Sequence, residues 1–292
     1  MAMEIIKHSK IYFSISIALI IASALSLIFY GLRLGIDFTG GSLMEIEFKE
    51  SRLSSDEILE NLKDLELGQI NLQPTGSRGL ILRLKDVDEK THQNILGRLG
   101  ENIEEKRFES VGPAIGKELK RKAIWAIIIA LLAIIAYIAY SFRKVSYPVH
   151  SWQYGVVAIV ALFHDVFITL GFFSVFSHFK EIEIGLPFVA AFLTILGYSV
   201  NNSIVIFDRT RENLLKTSWD NFERVVNNSI NQSLSRCLNT AMTTLLVLLA
   251  IFFMGGESIK YFSLALIVGI IVGTFSSIFI TSSLVTWWYR KK

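Results

Sequence analysis

The chain has little cysteine and little charge. A single cysteine, Cys237, stands among 292 residues, so no internal disulfide can form, and no C-x-x-C or Cys/His spacing offers a metal its ligands. No glycine-rich phosphate loop occurs, and His164 has no serine nucleophile near it in sequence. These absences predict no metal, no cofactor and no enzyme. Charged residues make up only 19% of the chain, against roughly 25% in an average soluble protein. The net charge of +3 is too small to argue for nucleic acid.

What charge there is has an uneven distribution. Of 29 basic and 26 acidic residues, 15 and 17 lie between Arg33 and Lys122. The remainder is strongly apolar, which excludes a soluble enzyme and a disordered chain. A bilayer core of about 30 Å needs about 20 apolar residues in a helix, and six stretches qualify: 11–32, 123–142, 145–179, 184–207, 237–256 and 261–289. Only the third carries a charge, Asp165. The first is too long for a signal core and lacks a small-x-small cleavage site, so it reads as an anchor helix.

Basic residues set the orientation. With the N-terminus cytoplasmic, the inside segments hold Lys7, Lys10, Arg143, Lys144, Arg209, Arg211, Lys216, Arg224, Arg236, Arg290, Lys291 and Lys292. The short outside loops hold only Lys180 and Lys260. Both termini are then cytoplasmic and the polar domain 33–122 is outside, because long domains cross regardless of charge. Three domains follow: 1–32 with the first helix, 33–122 outside, and 123–292 with five helices and a cytoplasmic loop 208–236.

The outside domain predicts a ferredoxin-like α+β unit with β-α-β-β-α-β order. Met44, Ile46 and Phe48 alternate with carboxylates as in a half-buried strand. Ser54 and Glu57 have capping-box spacing before Ile58, Leu59, Leu62 and Leu65. Strands near 70–73 and 80–84 flank a turn at Pro74-Thr75-Gly76, a helix covers roughly 87–99, and a strand lies near 107–111. Residues 213–235, with Trp219, Phe222 and Val225–Val226 interleaved, read as an amphipathic cytoplasmic connector.

Polar groups inside a bilayer are costly, so each asks for a reason. Asp165 must be protonated or have a cationic partner; it reads as a group for ion movement or gating, with a structural hydrogen bond as the alternative. Asn201 and Asn202 point about 100° apart on their helix and suit hydrogen bonds across helix contacts. Asp208 and Arg209 lie at the interface, where charge is tolerated. Arg236 starts the fifth stretch as a positive-inside anchor, and is the nearest permanent cation to Asn202 if the fourth and fifth helices pack together. Gly269-x-x-x-Gly273 with Ser276-Ser277 offers a small face for close helix approach.

A series of motifs resembles the SecF family of protein-export membrane proteins, in the SecD/SecF group of the resistance-nodulation-division superfamily. The matches are Gly35-Ile36-Asp37-Phe38-Thr39-Gly40-Gly41, Val111-Gly112-Pro113-Ala114-Ile115-Gly116, Phe163-His164-Asp165-Val166, Gly197-Tyr198-Ser199-Val200-Asn201 with Phe207-Asp208-Arg209-Thr210-Arg211-Glu212-Asn213, Asn231-Gln232 with Arg236, Gly255-Gly256-Glu257, and Gly273-Thr274-Phe275-Ser276-Ser277. The resemblance implies six membrane helices with an extracytoplasmic domain between the first and second, in the bacterial cytoplasmic membrane. It implies SecD as partner beside the SecYEG translocon, YajC and YidC as further partners, contact with membrane lipid, and a role in late translocation of secreted polypeptides driven by the proton or sodium gradient. Where the family usually reads Asn-Asp-Ser/Thr, this sequence reads Asn201-Asn202-Ser203. The resemblance makes that position the ion-carrying carboxylate and Arg236 the group that answers it, but an amide cannot titrate. Coupling then runs through Asp165 or SecD, or this chain is a passive structural half, or the residue is a change peculiar to this sequence. A small-molecule or lipid exporter of the same superfamily is the alternative of another class, disfavoured by the single outside domain.

Overall fold

Polar and apolar stretches fold separately in the computed structural model, which describes residues 3–100, 102–141, 149–180, 182–216 and 221–291. Arg143, Lys144, Trp219 and Lys292, invoked above, lie outside the described residues, as does the side chain of Glu257. The chain divides into two units: Arg33–Trp125 with Glu183–Leu186, and Met1–Leu32 with Ala126–Ile182 and Pro187–Lys292. The inclusion of 183–186 in the polar unit had no counterpart in the sequence reading.

In the polar unit, β1 (Gly41–Phe48), α3 (Ser55–Leu62), β2 (Asn71–Thr75), β3 (Gly79–Leu84), α4 (Glu89–Leu99) and β4 (Ile103–Val111) follow a one-turn helix α2 (Ile36–Thr39). The sheet order is β2-β3-β1-β4, with every pair antiparallel. The alternation in β1 places Met44 and Ile46 against Ile58, Leu62, Leu82 and Ile95 in one apolar core. The Ser54–Glu57 capping box forms, with Ser54 N–H donating to Glu57 Oε2 at 2.8 Å and Glu57 N–H to Ser54 Oγ at 3.3 Å. Asp88 caps α4 through Thr91 N–H.

Two details differ from expectation. Pro74 and Thr75 belong to β2, and the turn begins at Gly76, whose φ is +57°; β2 is an edge strand, where the missing N–H of proline leaves no ladder bond unmade. β4 begins at 103, because a bulge in its pairing with β1 between Glu45 and Ile46 lets the strand continue past Lys106.

Among the described residues, six helices are long and apolar enough to cross a membrane: Ile6–Phe29, Pro113–Ser141, Trp152–Lys180, Leu186–Lys216, Phe222–Met254 and Ile259–Arg290. They correspond to α1 (Ser9–Phe29), α5 (Pro113–Ser141), α6 (Ser151–Lys180), α7 (Leu186–Lys216), α8 (Phe222–Met254), and finally α9 (Glu257–Phe275) and α10 (Ser282–Arg290) joined by a π-helical turn at Ser276–Thr281. The connector expected at 208–236 is helical at 208–216 and 222–236, as extensions of α7 and α8.

Small residues decide which faces meet. α1 buries Ser16, Ser23 and Ser26 while Ile11, Ile15, Leu19 and Ile28 are exposed. Lipid is as apolar as leucine, so apolar faces gain nothing by leaving it, whereas small residues admit a close backbone approach. At Gly171 of α6 that approach is so close that a Cβ would overlap Ser23. Ser26 Oγ donates to the Gly171 carbonyl at 2.8 Å, and Ser174 Oγ to the Ser26 carbonyl at 2.9 Å. The expected Gly269/Gly273 face lies against α7 in the same way: a Cβ on Gly269 would overlap Ile195, and one on Gly273 would stand 3.2 Å from Ser199 Cβ.

Candidate ion-coupling site

Asp165 is fully buried on α6, and three helical elements converge on its carboxylate. Oδ1 faces His164 Nδ1 at 2.9 Å. Oδ2 accepts from Ser199 Oγ of α7 at 2.5 Å and from Ser276 Oγ at 2.8 Å. The other nitrogen of His164, Nε2, meets Ser16 Oγ of α1. Serine, histidine and aspartate are thus linked in series, with Ser16 and His164 148 positions apart in sequence, and all three are buried.

The π-helical turn explains how Ser276 and its neighbour both serve the interior. Adjacent residues of a regular α-helix point about 100° apart, yet Ser276 and Ser277 are both fully buried. The added residue per turn aims Ser276 at Asp165 and Ser277 at α7, where its Oγ donates to the Ser199 carbonyl at 3.0 Å and lies 3.2 Å from Ser203 Oγ. Such turns recur at functional sites because they re-aim side chains without breaking the helix.

Asn202 and Asn201 point to different places. Asn202 is buried beside Tyr198, and its Nδ2 has no hydrogen-bond partner among the described residues. Asn201 is exposed and lines a cavity of about 590 Å³ with Asp208, Arg209, Gln232 and Arg236. Four of the expected residues (Asn201, Asp208, Arg209 and Arg236) therefore meet, but neither Asp165 nor Asn202 lines that cavity. α7 and α8 do pack together there, with Arg209 Nε donating to Gln232 Oε1 at 2.7 Å and Asn213 Nδ2 to Ser229 and Gln232 at 2.9 Å. Arg236 makes no ion pair among the described residues and is exposed, whereas Asp165 has histidine, not arginine, as its basic neighbour.

The remaining motif residues shape backbone in the polar unit. Asp37 Oδ2 accepts the Leu186 N–H at 2.7 Å, where α7 opens. Gly40 has φ +77° and Gly41 φ +129°. A Cβ on Gly40 would come within 2.7 Å of Pro113 Cα, and one on Gly41 within 2.7 Å of the Leu84 carbonyl oxygen; both conformation and space demand glycine. Gly197 is different: a Cβ there would meet nothing within 4 Å. Ser16 and the π-helical turn were missed from sequence. Spacing of serines on α1 at 16, 23 and 26 was the one available signal for the first; nothing in the sequence marks the second. Among the described residues no cluster of His, Cys, Asp and Glu suits a metal.

A six-helix membrane protein with one buried carboxylate held by hydroxyls and an imidazole is the class these features define. The family described as "Protein export membrane protein SecD/SecF, C-terminal" matches residues 91–291, and the "SecD/SecF GG Motif" matches 25–51, which contain Gly40-Gly41. The chain belongs to the SecD/SecF family of protein-export membrane proteins. It is 40% identical to the protein translocase subunit SecF of Thermobaculum terrenum, over 99% of this chain and 94% of that one. It is also 40% identical to the SecF of Vibrio alginolyticus, over 95% and 87%. Among solved structures, SecDF of Thermus thermophilus, described as a translocon-associated membrane protein, matches with TM-score 0.82 at 34% identity. That match covers 98% of this chain and 38% of the SecDF chain, so this chain spans under two fifths of that protein's length. SecDF in a super-membrane-facing form matches with TM-score 0.69 at 34% identity, covering 100% and 39%.

Proposed function

We propose that this chain is the SecF-type subunit of a protein-export complex, pairing with SecD beside the SecYEG translocon and using a proton or sodium gradient to promote late translocation. Family membership and near full-length likeness to SecF subunits support that reading. The solved SecDF chains, in which a like region is about two fifths of a longer protein, favour SecD as the missing half. YajC and YidC are further partners on this reading. The domains run 1–32, 33–122 and 123–292, with the ferredoxin-like domain extracytoplasmic and both termini cytoplasmic. The basic residues support that orientation.

The observation that carries the ion role is Asp165, fully buried yet bonded through both oxygens. An ionisable group kept inside a membrane segment at such expense is a functional group by default. One charge moved across 100 mV is worth about 2.3 kcal/mol, and a group must take up and release a proton or cation to use it. Asp165 can; Asn202 cannot. Arg236 then serves the cytoplasmic cavity with Asn201, Asp208 and Arg209 rather than a titrating partner, and Asp37, Gly40, Gly41 and Gly197 serve the backbone and its contacts. A second reading, a structural subunit that holds SecD in place, is favoured by Asn202.

The test is gradient-driven completion of translocation in vesicles carrying this chain with its SecD partner. Asp165→Asn is expected to lower the gradient-dependent rate at least tenfold, while Asn202→Asp raises it or leaves it unchanged. Full stimulation in Asp165→Asn overturns the ion role and leaves the structural reading.

A further inference from the structure

We infer that His164 and Asp165 act as one proton-holding pair, with Ser16 as its relay and Ser276 as the part that senses its state. This rests on the ion role proposed above and names the groups that carry it.

A lone carboxylate in a dry, apolar interior is strongly disfavoured beside a neutral imidazole. The pair is stable with one proton between its two sites: imidazolium with carboxylate, or neutral imidazole with carboxylic acid. Passage of that proton from Nδ1 to Oδ1 changes no net charge. No lysine, arginine or second carboxylate contacts the pair among the described residues. From α1 it meets Ser16, with Tyr12 one turn earlier packed on Phe275 and Phe279; from α7 it meets Ser199; from the last helical run it meets Ser276 and Gly273. Among the described residues nothing facing it supplies a fixed charge, so its proton count is set by exchange with the outside.

The atoms offer a route for that exchange. Ser16 Oγ lies against Nε2; in the unloaded pair the one imidazole proton is on Nδ1 and Nε2 is bare, so a proton arriving at the hydroxyl oxygen displaces the hydroxyl's own proton onto Nε2. The hydroxyl is regenerated and the pair passes from one negative charge to neutral, as imidazolium with carboxylate; release runs the same steps backwards. On the far side, Oδ2 of a carboxylate accepts from both Ser199 and Ser276. Once Oδ1 takes the proton, Oδ2 becomes the carbonyl oxygen of a neutral acid and loses the charge that strengthened both of these bonds. Ser276 has a second acceptor at hand, the Gly273 carbonyl at 3.2 Å, and Ser277 beside it bonds α7 at the Ser199 carbonyl. Loading the pair therefore weakens the bond from Ser276 to Asp165 and favours the one to its own helix. The effect falls on the π-helical turn and on the close contact of Gly273 with Ser199.

Two measurements on the full chain in vesicles with its SecD partner test this. The first is infrared difference spectroscopy of the carboxyl stretch as pH is varied. It is expected to show one buried carboxyl that vanishes in Asp165→Asn and whose midpoint moves by a pH unit or more in His164→Gln. The second is gradient-driven translocation: His164→Gln, which keeps a donor and an acceptor but cannot titrate, is expected to lose stimulation at least tenfold. Ser16→Ala leaves both titrating groups and most packing in place, and is expected to slow stimulation severalfold while keeping the carboxyl signal. An unmoved midpoint, or full stimulation in His164→Gln, overturns the pair. Absence of stimulation in the unaltered chain overturns the proposed function instead, and the infrared midpoint still judges the pair.

Discussion

Gly171→Ala and Gly197→Ala make the same chemical change on two membrane helices and should have opposite effects. At Gly171 the new methyl overlaps Ser23 of α1, including its backbone Cα, so the helices must part. Inserting a methyl into a packed contact costs about 1–3 kcal/mol. Separation also stretches the bond from Ser26 Oγ to the Gly171 carbonyl, and such interhelical bonds average about 0.6 kcal/mol and reach about 1.7. A combined loss of about 2–4 kcal/mol is a shift in the folding equilibrium of about 30-fold or more, at about 1.4 kcal/mol per tenfold. At Gly197 the methyl meets nothing, and alanine is favoured over glycine in a helix by about 1 kcal/mol, so stability holds or rises. Unfolding of the purified chain in lipid–detergent micelles by increasing denaturing detergent, followed by helix content, compares the two directly. Equal midpoints for the two variants would refute the argument that glycine at 171 is there for helix approach. If Gly197→Ala keeps its stability but no longer copurifies with SecD, the open face at Gly197 is where the partner lies.

In the polar unit, Gly40→Ala meets both a positive φ and the Pro113 Cα, whereas Gly76→Ala meets only a positive φ with open space around it. Gly76→Ala should cost about 1–2 kcal/mol and Gly40→Ala clearly more, readable as the ratio of their amide-exchange rates in β1 and β3. Glu183 is partly buried, and burial pushes its carboxyl above the ordinary range, with the Arg83 guanidinium 2.9 Å away pulling the other way. The folded state thus keeps that proton longer than the unfolded chain. Its contribution is fullest below the ordinary carboxylate range and declines as pH rises through the raised folded value. Thermal melting against pH should show that decline, and Glu183→Gln should flatten it; a steeper profile in the variant would contradict burial as the cause.

Much of the architecture was legible because it depends on short-range pattern and on the thickness of a bilayer. Charge-free stretches long enough to span a membrane, the alternation of Met44, Ile46 and Phe48, and the Ser54–Glu57 spacing each state a local preference, and each is realised in the helices and strands described. Helix ends were less legible. α7 runs to Lys216 and α8 starts at Phe222, because a polar residue ends an apolar pattern without ending a helix.

The site divides along the same line. Sequence by itself marked Asp165 as costly, since one carboxylate in a long apolar run is visible without any partner, and it marked the small residues Gly269 and Gly273 by their spacing. It also showed that Asn202 cannot titrate, which follows from the side chain alone. Only the tertiary structure decided what the adjacent His164 and Asp165 touch. Ser16, Ser199 and Ser276 lie on three other helical segments, and hydroxyls are too common in membrane helices for sequence to single them out. It also separated Asn201 from Asn202, sending one to a cavity with Arg236 and the other inward. The physical reason is rotational: a helix position fixes an azimuth about its own axis, but which neighbour occupies that azimuth depends on how the backbones pack. At Gly171, Gly269 and Gly273 that packing is set by atoms far apart in the chain.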